Sequence, residues 1–164
     1  MVASIIRSAR ASENKTLTEL TFESKGFWNY PEKWFKIWNE ELTITSDYIK
    51  KNIVYVAESD GALSGYFSVV KRTSDFKIED VIVEKGYFLD HIFIKPSFIR
   101  KKIGTKLITH ALKLCKKMGV EKLKVMADSN CRGFYEDTDA ACLGEIPSNI
   151  ENRTVSLFEY IIEK

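Results

Sequence analysis

The chain of 164 residues is 45% hydrophobic and 29% charged, with 8 Gly and 3 Pro, the make-up of one globular domain rather than two. Roughly 70% of the surface that an unfolded chain of this size exposes can be buried, so neither disulfides nor a structural metal is required to hold the fold. Lys and Arg number 25 against 23 Asp and Glu, and a net charge of +2 provides no broad field for nucleic acid or an anionic membrane.

Cys115, Cys131 and Cys142 lack CxxC or Cys/His metal spacing and read as core thiols in a reduced compartment. Residues 1–7 lack a long apolar leader and the longest uncharged run, 61–70, is too short to span a bilayer, so the expected location is cytoplasmic. The first element is a strand over Ser4–Ser8, and residues 11–24 follow as a helix with Leu17, Leu20 and Phe22 at loose helical spacing. Pro31, in the first turn, opens a second helix through Trp34, Phe35, Trp38 and Leu42. A short third helix follows Thr45-Ser46-Asp47, whose side chains can cap free N–H groups. Trp34 and Trp38, four apart, form a stripe that reads as core.

The period then shortens. Residues 53–58 and 64–70 are β-rich around Ser59-Asp60-Gly61, which predicts an antiparallel hairpin. Residues 80–83 add a further strand segment, and 87–94 form the central strand, ended by Lys95-Pro96. Over 101–118 the apolar positions Ile103, Leu107, Ile108, Ala111, Leu112, Cys115 and Met118 fit one face of a helix that Gly119 stops. Residues 123–127 are the next strand, so 87–127 is a β-loop-α-β unit with parallel strands. A short helix over 130–137 and strands over 140–145 and 154–162 complete the chain.

The first loop of a parallel βαβ unit offers free backbone N–H groups at a helix N-terminus and favours a phosphate. Here Arg100, Lys101 and Lys102 cluster there, although cations at a helix N-terminus are disfavoured by about 0.3–1 kcal/mol each. On charge alone two readings stand: an anion site, or a basic turn whose side chains splay into water.

The segment Leu89-Asp90-His91-Ile92-Phe93-Ile94-Lys95-Pro96, with the helix entry Ile103-Gly104-Thr105-Lys106-Leu107, resembles motif A of the GNAT superfamily of N-acetyltransferases, which bind acetyl-CoA. Asp128-Ser129-Asn130-Cys131-Arg132-Gly133-Phe134-Tyr135-Glu136 resembles its motif B, and the order of elements is similar from end to end. The chain departs from the pattern at Ile99, where the family has Arg or Gln, and at Lys102, which replaces the first glycine and leaves only Gly104. A side chain at Lys102 restricts φ unless the backbone is already helical, as is expected this close to a helix start. After motif B, Asp139-Ala140 stands for Gly-Phe, and Asp tolerates the left-handed stop. The resemblance implies an α/β fold of the α+β type: a mixed, mostly antiparallel sheet with a parallel central βαβ unit, flanked by helices, in a single domain over residues 1–164.

It also implies the chemistry, which is transfer of the acetyl group of acetyl-CoA to a primary amine by direct attack on the thioester, without a metal. Backbone groups of Ile92, Phe93 and Ile94 would pair with the pantetheine arm. The N–H groups of Ile99, Arg100, Lys101, Lys102, Ile103, Gly104 and Thr105 would take the pyrophosphate, Asn130 and Tyr135 would also contact the cofactor, and an N–H near Ile94 would face the developing oxyanion. Tyr135 sits at the position of the general acid for the thiolate, against a packing role beside Phe134. Asp90 is the nearby carboxylate for deprotonating the acceptor, against an exposed strand residue or a water chain in its place. His91 reads as structural, and His110 as one of the polar positions of its helix. By resemblance the N-terminal third, with Phe27-Trp28-Asn29-Tyr30 and the tryptophans, sets acceptor specificity. The expected partner is a small-molecule or peptide amine, with no nucleic acid or membrane, and the chain is a monomer or homodimer. The rival readings are a non-catalytic acyl-CoA-binding or sensing domain and a nucleic-acid module built on the basic loop.

Overall fold

A computed structural model describes residues 3–163. The elements are β1 (Ser4–Ser8), α1 (Asn14–Gly26), α2 (Glu32–Leu42), α3 (Ser46–Lys51), β2 (Ile53–Ser59), β3 (Ala62–Arg72), β4 (Phe76–Ile78), β5 (Val81–Val83), β6 (Gly86–Ile94), α4 (Ile103–Lys117), β7 (Lys122–Ala127), α5 (Arg132–Asp137), β8 (Ala141–Pro147) and β9 (Thr154–Ile161). Seven strands form a mixed sheet in the order β1-β2-β3-β6-β7-β9-β8. Within it β1/β2, β2/β3, β7/β9 and β9/β8 pair antiparallel, and β6/β7 pair parallel, the α/β arrangement expected. The chain divides into two compact units, Met1–Val69 with His91–Ala111 and Val70–Asp90 with Leu112–Lys164.

In the first unit Asp60 and Gly61, with φ of 53° and 78°, make the two-residue turn between β2 and β3, the conformation that matches strand twist. The register Ala57↔Gly65 is followed by Glu58↔Leu63, so Ser64 is a bulged residue. Its hydroxyl lies 2.9 Å from that of Ser59 and donates to the Ala57 carbonyl at 3.2 Å, while its own carbonyl accepts from Lys95 N–H at 2.8 Å. Gly65 is the neighbour that lets this happen: a Cβ there would lie 2.9 Å from both the Phe93 carbonyl oxygen and Ile94 Cδ1. The core of the unit gathers Leu17, Leu20, Ile44, Ile49, Val54, Val56 and Tyr66. Thr45 caps α3 by accepting from Tyr48 N–H, as its sequence position predicts. Arg7 joins β1 to its surroundings by donating to Glu13 at 2.8 and 2.9 Å and to Glu58 at 2.7 Å. Those hydrogen bonds to Arg7 hold the Glu13 carboxyl below its usual range.

In the second unit β6 and β7 meet at Tyr87↔Leu123 and Phe88↔Lys124, and β9 pairs β7 from Lys122↔Ile161 to Ala127↔Ser156. Val83, Phe88 and Ile146 are buried together, with Val70, Phe76, Met126 and Leu157 packed on them.

Several expectations are corrected. Pro31 is the residue before α2 rather than inside its first turn, since its φ of −54° and ψ of 138° are extended. The strand segment expected at 80–83 is present as β5, which pairs with the short β4 in a sheet of its own. Only Cys115 is a core thiol, pushed up to about 11 by burial, whereas Cys131 is half-buried and Cys142 exposed. His110 is not on a polar face: its ring lies 4.9 Å from that of Tyr55 and 6.2 Å from that of Phe67. Trp38 is buried as expected, but Trp34 is half-buried and Phe27 and Trp28 are exposed. Among the described residues no helix is long and apolar enough to cross a membrane.

Candidate functional site

The basic loop begins where the Ser64 bulge takes Lys95 N–H and so fixes the end of β6. Pro96–Phe98 form one 3₁₀ turn, with Phe98 N–H donating to the Lys95 carbonyl at 2.8 Å. Ile99 then returns to extended backbone, with φ of −63° and ψ of 143°. Arg100 and Lys102 follow at φ of 65° and 63°. Lys102 is therefore not helical, contrary to the expectation from sequence: it adopts the left-handed conformation, at the position where the motif has its first glycine. A side chain in that region costs about 1–2 kcal/mol, and the chain bears this cost twice within three residues. Left-handed residues beside ordinary ones turn successive N–H groups toward one side, the concavity that suits an anion.

The Lys102 carbonyl accepts from Lys106 N–H at 3.1 Å, so α4 starts there and the N–H groups of Ile103, Gly104 and Thr105 precede its ladder. Ile103, Leu107, Ile108 and Ala111 are buried and anchor the helix. Arg100, Lys101 and Lys102 are exposed, with Lys101 Nζ 5.4 Å from the Phe98 ring centroid, while Lys106 donates to Ser4 Oγ at 3.0 Å. Upstream, Ile92, Phe93 and Ile94 are half-buried, and buried His91 packs on Tyr48, Tyr66 and Phe93, the structural role expected of it. Lys102→Gly should stabilise the protein by about 1 kcal/mol, raising Tm by roughly 2–4 °C; an unchanged or lower Tm in a thermal melt would show that no strain is stored there.

In the second unit Asp128 organises motif B. Its Oδ1 accepts from Asn130 N–H at 2.9 Å and its Oδ2 pairs with Arg153 at 2.9 Å, both side chains being 13% exposed. Sequence reading assigned Asp128 no role, although an Asp two residues before a turning Asn is the signal of an Asx turn. Asn130 is exposed in the 3₁₀ turn that precedes α5. Tyr135 is 3% exposed, its ring 5.2 Å from that of Phe134 and 5.5 Å from that of Phe158. Burial above all, with Cys131, Tyr160 and Asp128 adding to it, raises its phenol well above the ordinary value, so the group stays protonated. Asp139, at φ of 70°, ends α5 as expected and Ala140 N–H returns to the Tyr135 carbonyl at 3.0 Å. Asp90 is exposed on β6. No group of three or more His, Cys, Asp or Glu side chains able to hold a metal occurs among the described residues.

The model of the acetyltransferase (GNAT) family matches residues 15–138. The peptidyl-lysine N-acetyltransferase YiaC of Escherichia coli K12 is 28% identical over 107 residues, which cover 65% of this chain and 63% of that protein, less than two thirds of its length. The PaiA N-acetyltransferase of Thermoplasma acidophilum, solved in complex with coenzyme A, matches with a TM-score of 0.67 and 19% identity over 97% of this chain and 99% of that one. A GCN5-related N-acetyltransferase from Rhodopseudomonas palustris reaches a TM-score of 0.73 at 15% identity, over 98% of each chain. These two show a shared fold, and the family match spans most of this sequence. The chain belongs to the acetyltransferase (GNAT) family.

Proposed function

We propose that residues 1–164 act as one acetyl-CoA-dependent N-acetyltransferase domain, passing the acetyl group to a primary amine by direct attack. The observation that carries this reading is the pair of left-handed residues, Arg100 and Lys102, before α4, in the basic loop where the motif's first glycine is replaced. The residues suit the diphosphate of CoA, with left-handed backbone just before a helix N-terminus and three exposed cations in the same loop. Family membership supports the activity, and the coenzyme A held by the Thermoplasma protein supports the co-substrate. The name of the E. coli relative makes a lysine side chain in a peptide one candidate acceptor.

Acetyl-CoA supplies an activated thioester carbonyl. Backbone groups of Ile92, Phe93 and Ile94 hold the arm that carries it, and N–H groups from Ile99 to Thr105 hold the diphosphate, with Asn130 contributing from motif B. A backbone N–H near Ile94 donates to the carbonyl oxygen as charge develops there. Asp90, directly or through water, takes the proton that makes the amine nucleophilic. Tyr135, whose phenol burial keeps protonated, gives a proton to the departing sulfur.

The test is a thiol-release screen with acetyl-CoA across small amines, amino acids, aminoglycosides and lysine peptides. Release with at least one class, at a rate well above acetyl-CoA hydrolysis without acceptor, is expected. Thermal stabilisation by acetyl-CoA with no release on any class would instead select the non-catalytic binding or sensing reading.

A further inference from the structure

Arg72, the last residue of β3, lies in the second unit with its guanidinium carbon 4.5 Å from the Phe76 ring centroid and 5.3 Å from that of Phe88. Aromatic faces hold a guanidinium in place without neutralising it. Its Nε is buried and has no hydrogen-bond partner among the described residues, and no ion pair joins Arg72 to any described carboxylate. Of the acids in the adjoining segment, Asp75 accepts from Lys85 N–H at 2.8 Å, and Glu84 stands 4.0 Å from Lys124. Lys124, itself 8% exposed, puts a second cation 5.8 Å from the centroid of the same Phe88 ring. Lys124 has compensation, from the Glu84 carbonyl at 3.2 Å and from Glu159 opposite it in register; Arg72 has none. A guanidinium oriented by two rings and held by no described carboxylate can receive one at its terminal nitrogens, through two parallel N–H···O bonds.

We propose that Arg72 is an acceptor-binding residue, and that the amine acetylated by this protein carries a carboxylate, as amino acids do. The inference rests on the acetyl-transfer reading and narrows its substrate class. Asp90, proposed above to receive the proton of the amine, lies two residues along β6 from Phe88, roughly 7 Å at strand spacing. An acceptor with an ammonium and a carboxylate thus meets a carboxylate and a guanidinium in the same stretch of sheet. The uncompensated charge of Arg72 repels amines that lack the carboxylate, so the site selects by rejection as well as by attraction.

The experiment compares matched pairs, each an amino acid and the amine left by removing its α-carboxylate: lysine with cadaverine, phenylalanine with phenethylamine. The wild type is expected to favour the carboxylated member of at least one pair by tenfold or more in kcat/KM. Arg72→Gln should bring that ratio near one, and Arg72→Lys should restore part of it. A wild-type ratio near one, or a ratio that Arg72→Gln leaves intact while both rates fall, overturns the proposal. If no amine is acetylated, the acetyl-transfer reading fails and the carboxylate site is judged separately, by the Arg72 Nε–Hε NMR signal on titration with glutarate. A saturable shift absent with sodium chloride at equal ionic strength supports the site, and no shift overturns it.

Discussion

Tyr135→Phe should lower kcat by on the order of 10²-fold while the affinity for acetyl-CoA, read by thermal shift or calorimetry, stays within a factor of two or three. Proton donation in the transition state typically contributes 10²–10⁴-fold, and the substitution removes only the donor. The ring stays between Phe134 and Phe158, so the packing that accounts for its 3% exposure survives. The unfolded phenol ionises near pH 10, and burial raises the folded value well above that. Stability from the neutral buried phenol is therefore fully present below about pH 10 and declines only as pH rises toward the folded value. The wild-type rate should show no fall from loss of this proton up to about pH 10. Equal kcat in the two proteins would leave Tyr135 a packing residue.

Gly65→Ala should cost on the order of 2–3 kcal/mol and lower Tm by roughly 5–10 °C. The added methyl would meet the Phe93 carbonyl oxygen at 2.9 Å, and a backbone atom cannot swing aside as Ile94 Cδ1 can. If β6 is the strand that carries the pantetheine arm, relieving the clash displaces the backbone at Phe93, and KM for acetyl-CoA should rise with the loss of stability. Gly133→Ala, where an added Cβ meets nothing within 4 Å and the site is helical, is the control and should be neutral or slightly stabilising. A Gly65→Ala protein that melts with the wild type would remove the argument from close approach.

What local chemistry decides could be read from the chain. The Asp60-Gly61 turn, the Thr45 cap, the Gly119 stop and the left-handed Asp139 each follow from a residue and its immediate neighbours. What escaped depends on partners far along the sequence. His110 counts as polar in a helical repeat, yet Tyr55 and Phe67 from β2 and β3 surround it. The strand β4 has three residues with a lysine in the middle, too few to establish a period, and exists because Val81–Val83 pairs with it. The Ser64 bulge is a property of register, which no single strand announces. Within the candidate site the positions of the motifs were legible, but the conformation of Lys102 was not, because lysine has no intrinsic preference for positive φ. Arg72 was missed altogether, since its two aromatic contacts come from a separate hairpin and from β6.

The unequal burial of the three thiols bears on how this protein must be measured. A disulfide reagent used to count released CoA meets the exposed Cys142 at once and the half-buried Cys131 more slowly, while Cys115, enclosed and poorly ionised, stays silent as long as the fold holds. The protein thus writes its own baseline into the trace, and the late arrival of a third equivalent is an internal alarm that the sample has come apart.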